Sequence, residues 1–232
     1  MSAKTIADFL KSGTVFTDLP ADEIQALAAA AREQRYPARE YIFNEGEAPA
    51  AFWLVRAGRV KIVRHSRNGK EIVLELLGPG ELFGGAAALE GRPYPASAQA
   101  MEASTVVCIP PEPILALARR HPTVVREMAL MLSRRLRAAH DSIESLAADP
   151  VEARLAGRLI RLAESQGTRD HRGLVLPFHL TRQTLADMSG TTVETTIRVL
   201  SRWLQKGLVS DEGGRLVVHS IEALREIETC RR

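Results

Sequence analysis

Short apolar runs separated by turn residues fill the chain between Tyr36 and Pro110. Asn68-Gly69 lies between two of these runs and is the strongest short hairpin signal, because both residues tolerate the positive φ of a two-residue turn. Many short strands at even spacing are typical of a small barrel or roll, which closes on itself and leaves few exposed edges. The predicted strands are Tyr41–Phe43, Phe52–Arg56, Val60–His65, Ile72–Leu77 and Thr105–Ile109.

The pattern is helical before and after this β-rich stretch. Residues 17–35 predict a helix with Ile24, Leu27, Ala28 and Ala31 on one face. A longer helix is predicted from His121-Pro122 to Ala148, where Asp149-Pro150 ends it.

Apolar residues recur along the long helix at alternating spacings of four and three, which places them on one narrow seam. A narrow seam needs a partner, and the simplest partner is the same helix in a second copy of the chain. The alternative is a helix packed along its own domain, for which a wider apolar face is usual. We therefore predict a homodimer held by Val125, Ala129, Leu132, Leu136, Ala139, Ile143 and Leu146.

The segment Leu180–Val209 predicts two helices joined by a tight turn. Thr181 and Thr192 are suited to cap the first and second helix, and Gly190 supplies the positive φ of the turn between them. The first helix has Leu185, Ala186 and Met188 on its apolar face, and the second has Val193, Thr196, Ile197, Leu200 and Leu204 before Gly207 ends it. Such a pair is typical of a DNA-binding helix-turn-helix, although an ordinary helical hairpin looks similar locally.

A hairpin follows the second helix, and it favours the DNA-binding interpretation. Leu208–Ser210 and Arg215–Val218 flank Gly213-Gly214, which predicts two strands and a turn, the wing of a winged helix. Ser220 is then expected to cap a last helix to about Glu228, and the terminal Arg231-Arg232 is expected to be frayed. The whole pattern predicts an α+β fold with a β-roll effector or sensor domain (1–120), a dimerisation helix (121–148) and a winged-helix DNA-binding domain (149–232).

Composition and charge agree with this prediction without requiring it. The chain has 232 residues, a net charge of +3 and two cysteines, Cys108 and Cys230, with a pI near 9.1. A mildly basic balance suits a DNA-binding protein, and the two distant cysteines offer no metal-ligand spacing. We find no signal peptide and no apolar run of membrane-spanning length, so we expect a cytoplasmic protein. No nucleophile–base–orienter set is recognisable, which argues against an enzyme.

Over nearly all of its length the chain resembles the Crp/Fnr family of bacterial transcription regulators. The resemblance is carried by GRVKIVRHSRNGKEIVLELLGPGELFGG, by YPASAQA, by SRRL in the long helix and by LTRQTLADMSGTTVETTIRVL. It implies a homodimer in which two rolls of the cyclic-nucleotide-binding, jelly-roll type control two heads on a palindromic operator. It also suggests RNA polymerase as a partner, through the solvated turns at Ser66–Lys70 and Gly167–Arg172.

The effector residues of cyclic-nucleotide-binding members are largely missing. The Gly-Glu pair that grips the ribose corresponds to Gly84-Gly85, and the Arg-Ser pair that takes the phosphate corresponds to Ala96-Ser97. The pair that meets the purine from the dimer helix corresponds to Ala139-His140. The expected effector pocket therefore comprises Gly84, Gly85, Ala86, Ala96, Ser97, Ala139 and His140. Without the Glu and the Arg, we expect very weak binding of cAMP or cGMP, and Arg92 is expected to face solvent instead of replacing the missing cation.

Other ligands are weighed on the same residues. GPGELFGG resembles a dinucleotide-binding loop, but no helical pattern follows Gly85, which argues against it. YPASAQA and Val193-Glu194 are closer to the redox- and gas-responsive branch of the family. An iron–sulfur cluster needs about four cysteines and is not expected here. Haem stays open as a cofactor because one histidine can suffice, with His140 as the candidate beside the dimer seam, but an ordinary solvated residue is the favoured interpretation of His140. A regulator without any effector is the remaining alternative, and the sequence leaves open the target genes and whether they are activated or repressed.

Bases and phosphates are assigned to different residues of the DNA-binding segment. Thr192, Val193, Glu194, Ile197 and Arg198 lie in the first turns of the second helix, where Glu194 can accept from cytosine N4 and Arg198 can donate to guanine O6 and N7. Glu194 and Arg198 are four residues apart and are also expected to brace each other. Family members with Val-Glu here tend to read TTGAT, so the resemblance implies a TTGA-like half-site. Phosphate contacts are expected from Arg182, Gln183, Thr195 and Arg202.

Overall fold

The computed structural model describes residues 3–12 and 15–229. The predictions for Cys230, Arg231 and Arg232 therefore lie outside the described residues. Contacts divide the chain into two compact units, Met1–Asn68 with Leu74–Leu136, and Gly69–Val73 with Arg137–Arg232. The long helix contributes its first part to one unit and its last part to the other.

The roll consists of two four-stranded sheets. One sheet has the order β1-β8-β3-β6 and consists of β1 (Arg32–Tyr36), β8 (Ser104–Ile109), β3 (Phe52–Ala57) and β6 (Leu82–Phe83). The other has the order β2-β7-β4-β5 and consists of β2 (Tyr41–Phe43), β7 (Ser97–Ala100), β4 (Val60–His65) and β5 (Glu71–Leu77), of which the residues from Leu74 onward belong to the first unit.

Strand β3 shows why the roll forms, because it is buried on both faces. Trp53 and Val55 belong to a core that also takes residues from the second sheet, such as Val60 and Ala98. Phe52 and Leu54 alternate with them and belong to a different core, which helices cover. These helices are α1 (Ala3–Lys11), α2 (Ala21–Ala30), α4 (Pro111–Arg120) and the first part of α5 (Pro122–Ala148).

Two expectations for this unit were wrong. The helix predicted over residues 17–35 ends at Ala30, and Arg32–Tyr36 forms strand β1, paired with β8. Arg32, Glu33 and Gln34 carry little apolar signal, so pairing with β8 sets this strand. A helix, α3 (Gly85–Glu90), does begin at Gly85, contrary to the expectation. The dinucleotide-loop interpretation still fails, because β6 pairs antiparallel with β3 and a βαβ unit requires parallel strands.

The second unit combines a helical layer with a small sheet. Its elements are α6 (Val151–Gln166), β9 (Thr168–Asp170), β10 (Gly173–Val175), α7 (Arg182–Ser189), α8 (Val193–Gln205), β11 (Val209–Glu212), β12 (Arg215–Val218) and α9 (Ile221–Thr229). The sheet has the order β11-β12-β10-β9. The predicted wing is confirmed as the β11–β12 hairpin, and Ser220 caps α9 by accepting from the backbone N–H of Ala223 at 3.1 Å.

Candidate DNA interface and effector cavity

Two threonine caps and one glycine fix the geometry of the helix pair α7–α8. The Oγ1 of Thr181 accepts from the backbone N–H of Thr184 at 3.0 Å, and the Oγ1 of Thr192 accepts from that of Thr195 at 3.3 Å. Gly190 lies between the helices with φ of 60°, a left-handed conformation in which a Cβ is strained. The predicted caps and turn are therefore confirmed.

The buried face of α8 differs in part from the prediction. Thr196, Val199, Leu200 and Trp203 are buried. Ile197 and Leu204, which were expected on the apolar face, are exposed to 48% and 36%. Because Ile197 faces outward together with Glu194 and Arg198, the first two turns of α8 present a mixed apolar and charged surface.

Glu194 is held by the helix start and not by Arg198. Hydrogen bonds from its own backbone N–H and from the Thr192 side chain lower the pKa of the Glu194 carboxyl, so it is ionised at neutral pH. The expected brace between Glu194 and Arg198 was wrong: within the described chain, no ion pair joins the two side chains. Both groups are thus available to a partner outside the chain.

The residues assigned to phosphates have partners within the second unit. Arg182 pairs with Asp211 at 2.6 Å, and Arg202 pairs with Glu152 at 2.8 Å. Gln183 donates to both carboxylate oxygens of Asp187, at 2.9 and 3.0 Å. Thr195 accepts a hydrogen bond from the Thr192 hydroxyl at 3.3 Å.

Two arginines that the sequence analysis did not single out hold the turn of the helix pair. Arg154 donates to the carbonyl oxygens of Ser189 and Gly190, at 3.0 and 3.3 Å. Arg158 donates to that of Met188 at 3.0 Å. These carbonyls end α7, where the helix itself offers no further donors. Burial lowers the pKa of Arg158 to about 10, which leaves it protonated at neutral pH. In the sequence, the spacing of four residues between Arg154 and Arg158 places both on one face of a helix, and this was the one indication that they act together.

The wing is also tied to its surroundings by charged pairs. Arg172 donates hydrogen bonds to Asp170 and to Glu212 of β11. Asp211 of the same strand accepts a hydrogen bond from Arg182. Hydrogen bonds from Arg172 lower the pKa of Asp170 to about 2. The acidic residues of β11 are therefore paired, while Arg215 at the start of β12 is exposed.

The predicted seam of α5 is exposed along its whole length. Val124 and Met128 are buried on the neighbouring face of the helix, about 100° round from the seam. Leu136 and Ile143 on the seam are exposed to 57% and 65%, and a continuous stripe of exposed apolar side chains of this kind marks an interaction surface. The exposed seam residues are Val125, Ala129, Leu132, Leu136, Ala139, Ile143 and Leu146.

The first unit contains a cavity of about 190 Å³ beside α3 and α5. Of the predicted effector residues, Gly84, Gly85, Ala86 and Ala96 border it. Ser97 is buried elsewhere and accepts from the backbone N–H of Glu45 at 2.9 Å. The other two, Ala139 and His140, belong to the second unit and are not among the residues that line the cavity. They are exposed and follow Arg135, the last residue of α5 that borders it.

The cavity lacks the groups that the considered effectors need. Among the residues that the structure describes, no histidine or cysteine lines it, so its donor set does not fit haem with a histidine ligand. A Cβ on Gly85 would lie 2.7 Å from the ring of Phe52, so a glutamate at this position would collide with that ring. The one arginine on the wall, Arg135, forms an ion pair with Glu75 at 3.1 Å. Arg92 is exposed, as expected.

Comparison with known proteins adds to this geometry. Residues 33–121 match the cyclic nucleotide-binding domain, and residues 153–227 match the Crp-like helix-turn-helix domain. The chain is 33% identical over 218 residues to the cyclic AMP receptor protein of Thermus thermophilus, covering 94% of this chain and 98% of that protein. The chain belongs to the Crp/Fnr family of transcription regulators.

Other members of the family show the same relationship. The transcriptional activator protein anr of Pseudomonas aeruginosa is 28% identical over 191 residues, covering 82% of this chain and 76% of that protein. The structure of FixK2 from Bradyrhizobium japonicum superposes with a TM-score of 0.77 at 22% identity, over 87% of this chain and 99% of that one, and supports the fold. Proteins of this family are transcription regulators and not enzymes. No helix in the described part of the chain is long and apolar enough to cross a membrane.

Proposed function

We propose that this Crp/Fnr regulator is a cytoplasmic homodimer that binds a palindromic operator with TTGA-like half-sites. The observation that carries the proposal is the outward face of α8, where Glu194 and Arg198 stand exposed directly after the Thr192 cap. In a helix-turn-helix this end of the second helix enters the major groove. Glu194 then accepts from cytosine N4 and Arg198 donates to guanine O6 and N7 of the G·C pair in TTGA.

The other surface residues have supporting roles in this proposal. Val193 and Ile197 pack against thymine methyl groups, because neither can form a hydrogen bond with a base. Arg182, Gln183, Thr195 and Arg202 are assigned to phosphates. Since Arg182 and Arg202 are paired with carboxylates, their phosphate contacts compete with those pairs, and we expect them to contribute less than a free arginine would.

The exposed seam of α5 supports the homodimer. Two seams packed together would cover side chains such as Leu136 and Ile143, and the two-fold axis would place one α8 on each half-site. By family resemblance, the bound dimer acts on RNA polymerase.

Gel-shift or anisotropy titration on synthetic DNA tests the proposal. The probe carries two TTGA-type half-sites with centres about 10 base pairs apart, and the control is the same duplex with both half-sites scrambled. We expect the palindrome to bind about 1,000-fold tighter or better at moderate salt. Equal affinities for the two duplexes would refute sequence-specific binding. Should tight binding require a ligand, the free protein and the ligand-bound protein are compared on the same pair of duplexes.

We infer that cyclic AMP, which gives the Thermus relative its name, is not the effector of this chain. Glu75 and Arg135 border the cavity as an ion pair, so neither charge is free for a ribose phosphate, and a Cβ on Gly85 would lie 2.7 Å from the ring of Phe52. A different small molecule fits the cavity better than haem does. Regulation through the abundance of the protein alone is the alternative.

A further inference from the structure

The cavity of the first unit carries a compensated charge. Glu75 and Arg135 are the charged side chains among its lining residues, and Oε2 of Glu75 lies 3.1 Å from Nε of Arg135. The remaining side chains are mostly aromatic, aliphatic, methionine, alanine or glycine. An ionic ligand entering this site would lose its hydration without gaining an unpaired counter-charge, which is strongly unfavourable. The lining therefore favours a neutral molecule.

Arg135 nevertheless retains hydrogen-bond donors. A guanidinium has five N–H groups, of which one faces Glu75 and one on Nη2 donates to the carbonyl oxygen of Leu82 at 2.6 Å. By contrast, the Tyr94 hydroxyl accepts from Trp53 Nε1 and from the backbone N–H of Ala50, both at 3.1 Å, and donates to Ala51 at 3.4 Å. Of these two wall residues, Arg135 is the one that can still bind an acceptor, so the polar end of a ligand belongs beside it.

The size of the cavity suits a ligand of about one ring. Its volume is about 190 Å³, whereas an apolar cavity of about 150 Å³ holds benzene and drug-sized ligands occupy about 300 Å³ or more. The difference from benzene leaves room for a substituent of two or three heavy atoms.

We propose that the cavity binds a compact, neutral aromatic molecule with one accepting oxygen, which Arg135 holds by hydrogen bonds. Met128, Met131 and Leu132 also border the cavity, and Leu132 belongs to the exposed seam of α5. The ligand would therefore touch the helix that we assign to the dimer. The binding site stands on the cavity alone, while its role as a regulatory site rests on the proposed function.

Three probes with the same ring separate the effects of the hydrogen bond, the apolar contact and the ligand charge on affinity. Acetophenone carries an accepting oxygen, ethylbenzene replaces it with an apolar group, and benzoate carries a charge. By calorimetry or ligand-observed NMR on the full chain, acetophenone should bind saturably and about tenfold tighter than ethylbenzene, since a hydrogen bond from a charged donor is involved. Benzoate should bind more weakly than acetophenone, because Glu75 already occupies the charged end of Arg135.

Substitutions on the two charged residues test the assignment in opposite directions. Arg135→Met should reduce acetophenone affinity to that of ethylbenzene and leave ethylbenzene affinity within about twofold of the wild type. Glu75→Gln should raise benzoate affinity about tenfold, because it frees the guanidinium for a carboxylate. If the ion pair served only the structure of the cavity wall, each substitution would instead change the affinities of all three probes in the same direction.

A blocked cavity provides the matched control. Ala96→Phe fills the space and should abolish binding of every probe, with circular dichroism to check the fold. If Ala96→Phe does not fold, the inference is tested by comparing the acetophenone and ethylbenzene affinities of the wild type with those of Arg135→Met. Equal affinity of acetophenone and ethylbenzene in the wild type, or no saturable binding of either, would overturn this inference. The palindrome titration without probes is a separate readout, so a failure there counts against the proposed function and not against the cavity.

Discussion

Nε of Arg158 donates a hydrogen bond of 3.0 Å to the carbonyl oxygen of Met188, and this contact joins α6 to the last turn of α7. The same guanidinium donates from Nη2 to the Ser142 hydroxyl of α5 at 2.8 Å. One half-buried side chain thus connects the end of α5, the scaffold helix α6 and the turn that sets the direction of α8.

Arg158→Met should destabilise the second unit. The substitution keeps most of the apolar stem but leaves the carbonyl of Met188 without this donor, which we expect to cost about 1–3 kcal/mol. Urea unfolding followed by far-UV circular dichroism measures the change. Arg161→Met is the matched control, because Arg161 pairs with Glu228 at 3.3 Å near the surface and such pairs contribute about 0–1 kcal/mol. Equal losses in the two variants would contradict the role given to Arg158.

Arg198→Ala should weaken binding to the palindrome by about 1–3 kcal/mol per half-site and relax the preference for the contacted G. Its side chain is exposed on the same face of α8 as Glu194 and carries no ion pair within the described residues. Anisotropy titrations on the TTGA and scrambled duplexes measure both effects. A loss that is the same on both duplexes would make Arg198 a backbone contact.

Arg202→Ala serves as the comparison for the previous variant. Arg202 lies one turn further along α8 and is paired with Glu152. We expect the substitution to lower the affinity for both duplexes alike. It should also make the slope of log affinity against log salt less steep by about one unit or less per contact. Titrations at two salt concentrations give that slope, and a loss confined to TTGA would show that Arg202 reads a base.

Leu136→Glu should convert the dimer into monomers. Leu136 is 57% exposed in the single chain, and in paired seams the introduced carboxylates would face each other in an apolar interface. Analytical ultracentrifugation at micromolar concentration measures the assembly state. Ala138→Glu introduces the same charge on another face of α5 and should remain dimeric. A dimeric Leu136→Glu variant would place the interface elsewhere.

Cyclic AMP should not raise the melting temperature of the protein appreciably. A ligand at 100 times its Kd stabilises the folded state by about 2.7 kcal/mol, so a specific ligand in the micromolar range is easily detected. Differential scanning fluorimetry with cAMP, cGMP and a ligand-free reference measures the shift. A clear rise with cAMP would mean that Gly85 and Ala96 do not prevent nucleotide binding.

Much of the fold follows from local signals in the sequence. The caps Thr181 and Thr192, the left-handed Gly190 and the hairpin at Gly213-Gly214 each depend on a few neighbouring residues, and each is present in the structure. The five predicted strands of the roll were also correct to within a residue, because their apolar runs are bounded by turns.

The failures arise where partners distant in sequence decide the outcome. Strand β1 is polar and forms only because β8 lies beside it. Ile197 fits the helical repeat of α8 and yet faces outward, because packing of Val199 and Trp203 sets the rotation of that helix. Glu152 stands fifty residues before Arg202, and nothing in either local sequence indicates that they pair. Side-chain partners of this kind require the tertiary structure.

The contact between Gly85 and the ring of Phe52 also constrains how this regulator could change its ligand over evolution. A glutamate at residue 85 would meet the ring at 2.7 Å from its Cβ alone, and Phe52 is one of the largest fully buried side chains of the chain. The two positions are therefore epistatic. A mutation at Gly85 is harmful while Phe52 remains, and a smaller residue at 52 first leaves a hole in the core beneath the helices. A path to a ribose-binding carboxylate passes through a less stable protein whichever change comes first.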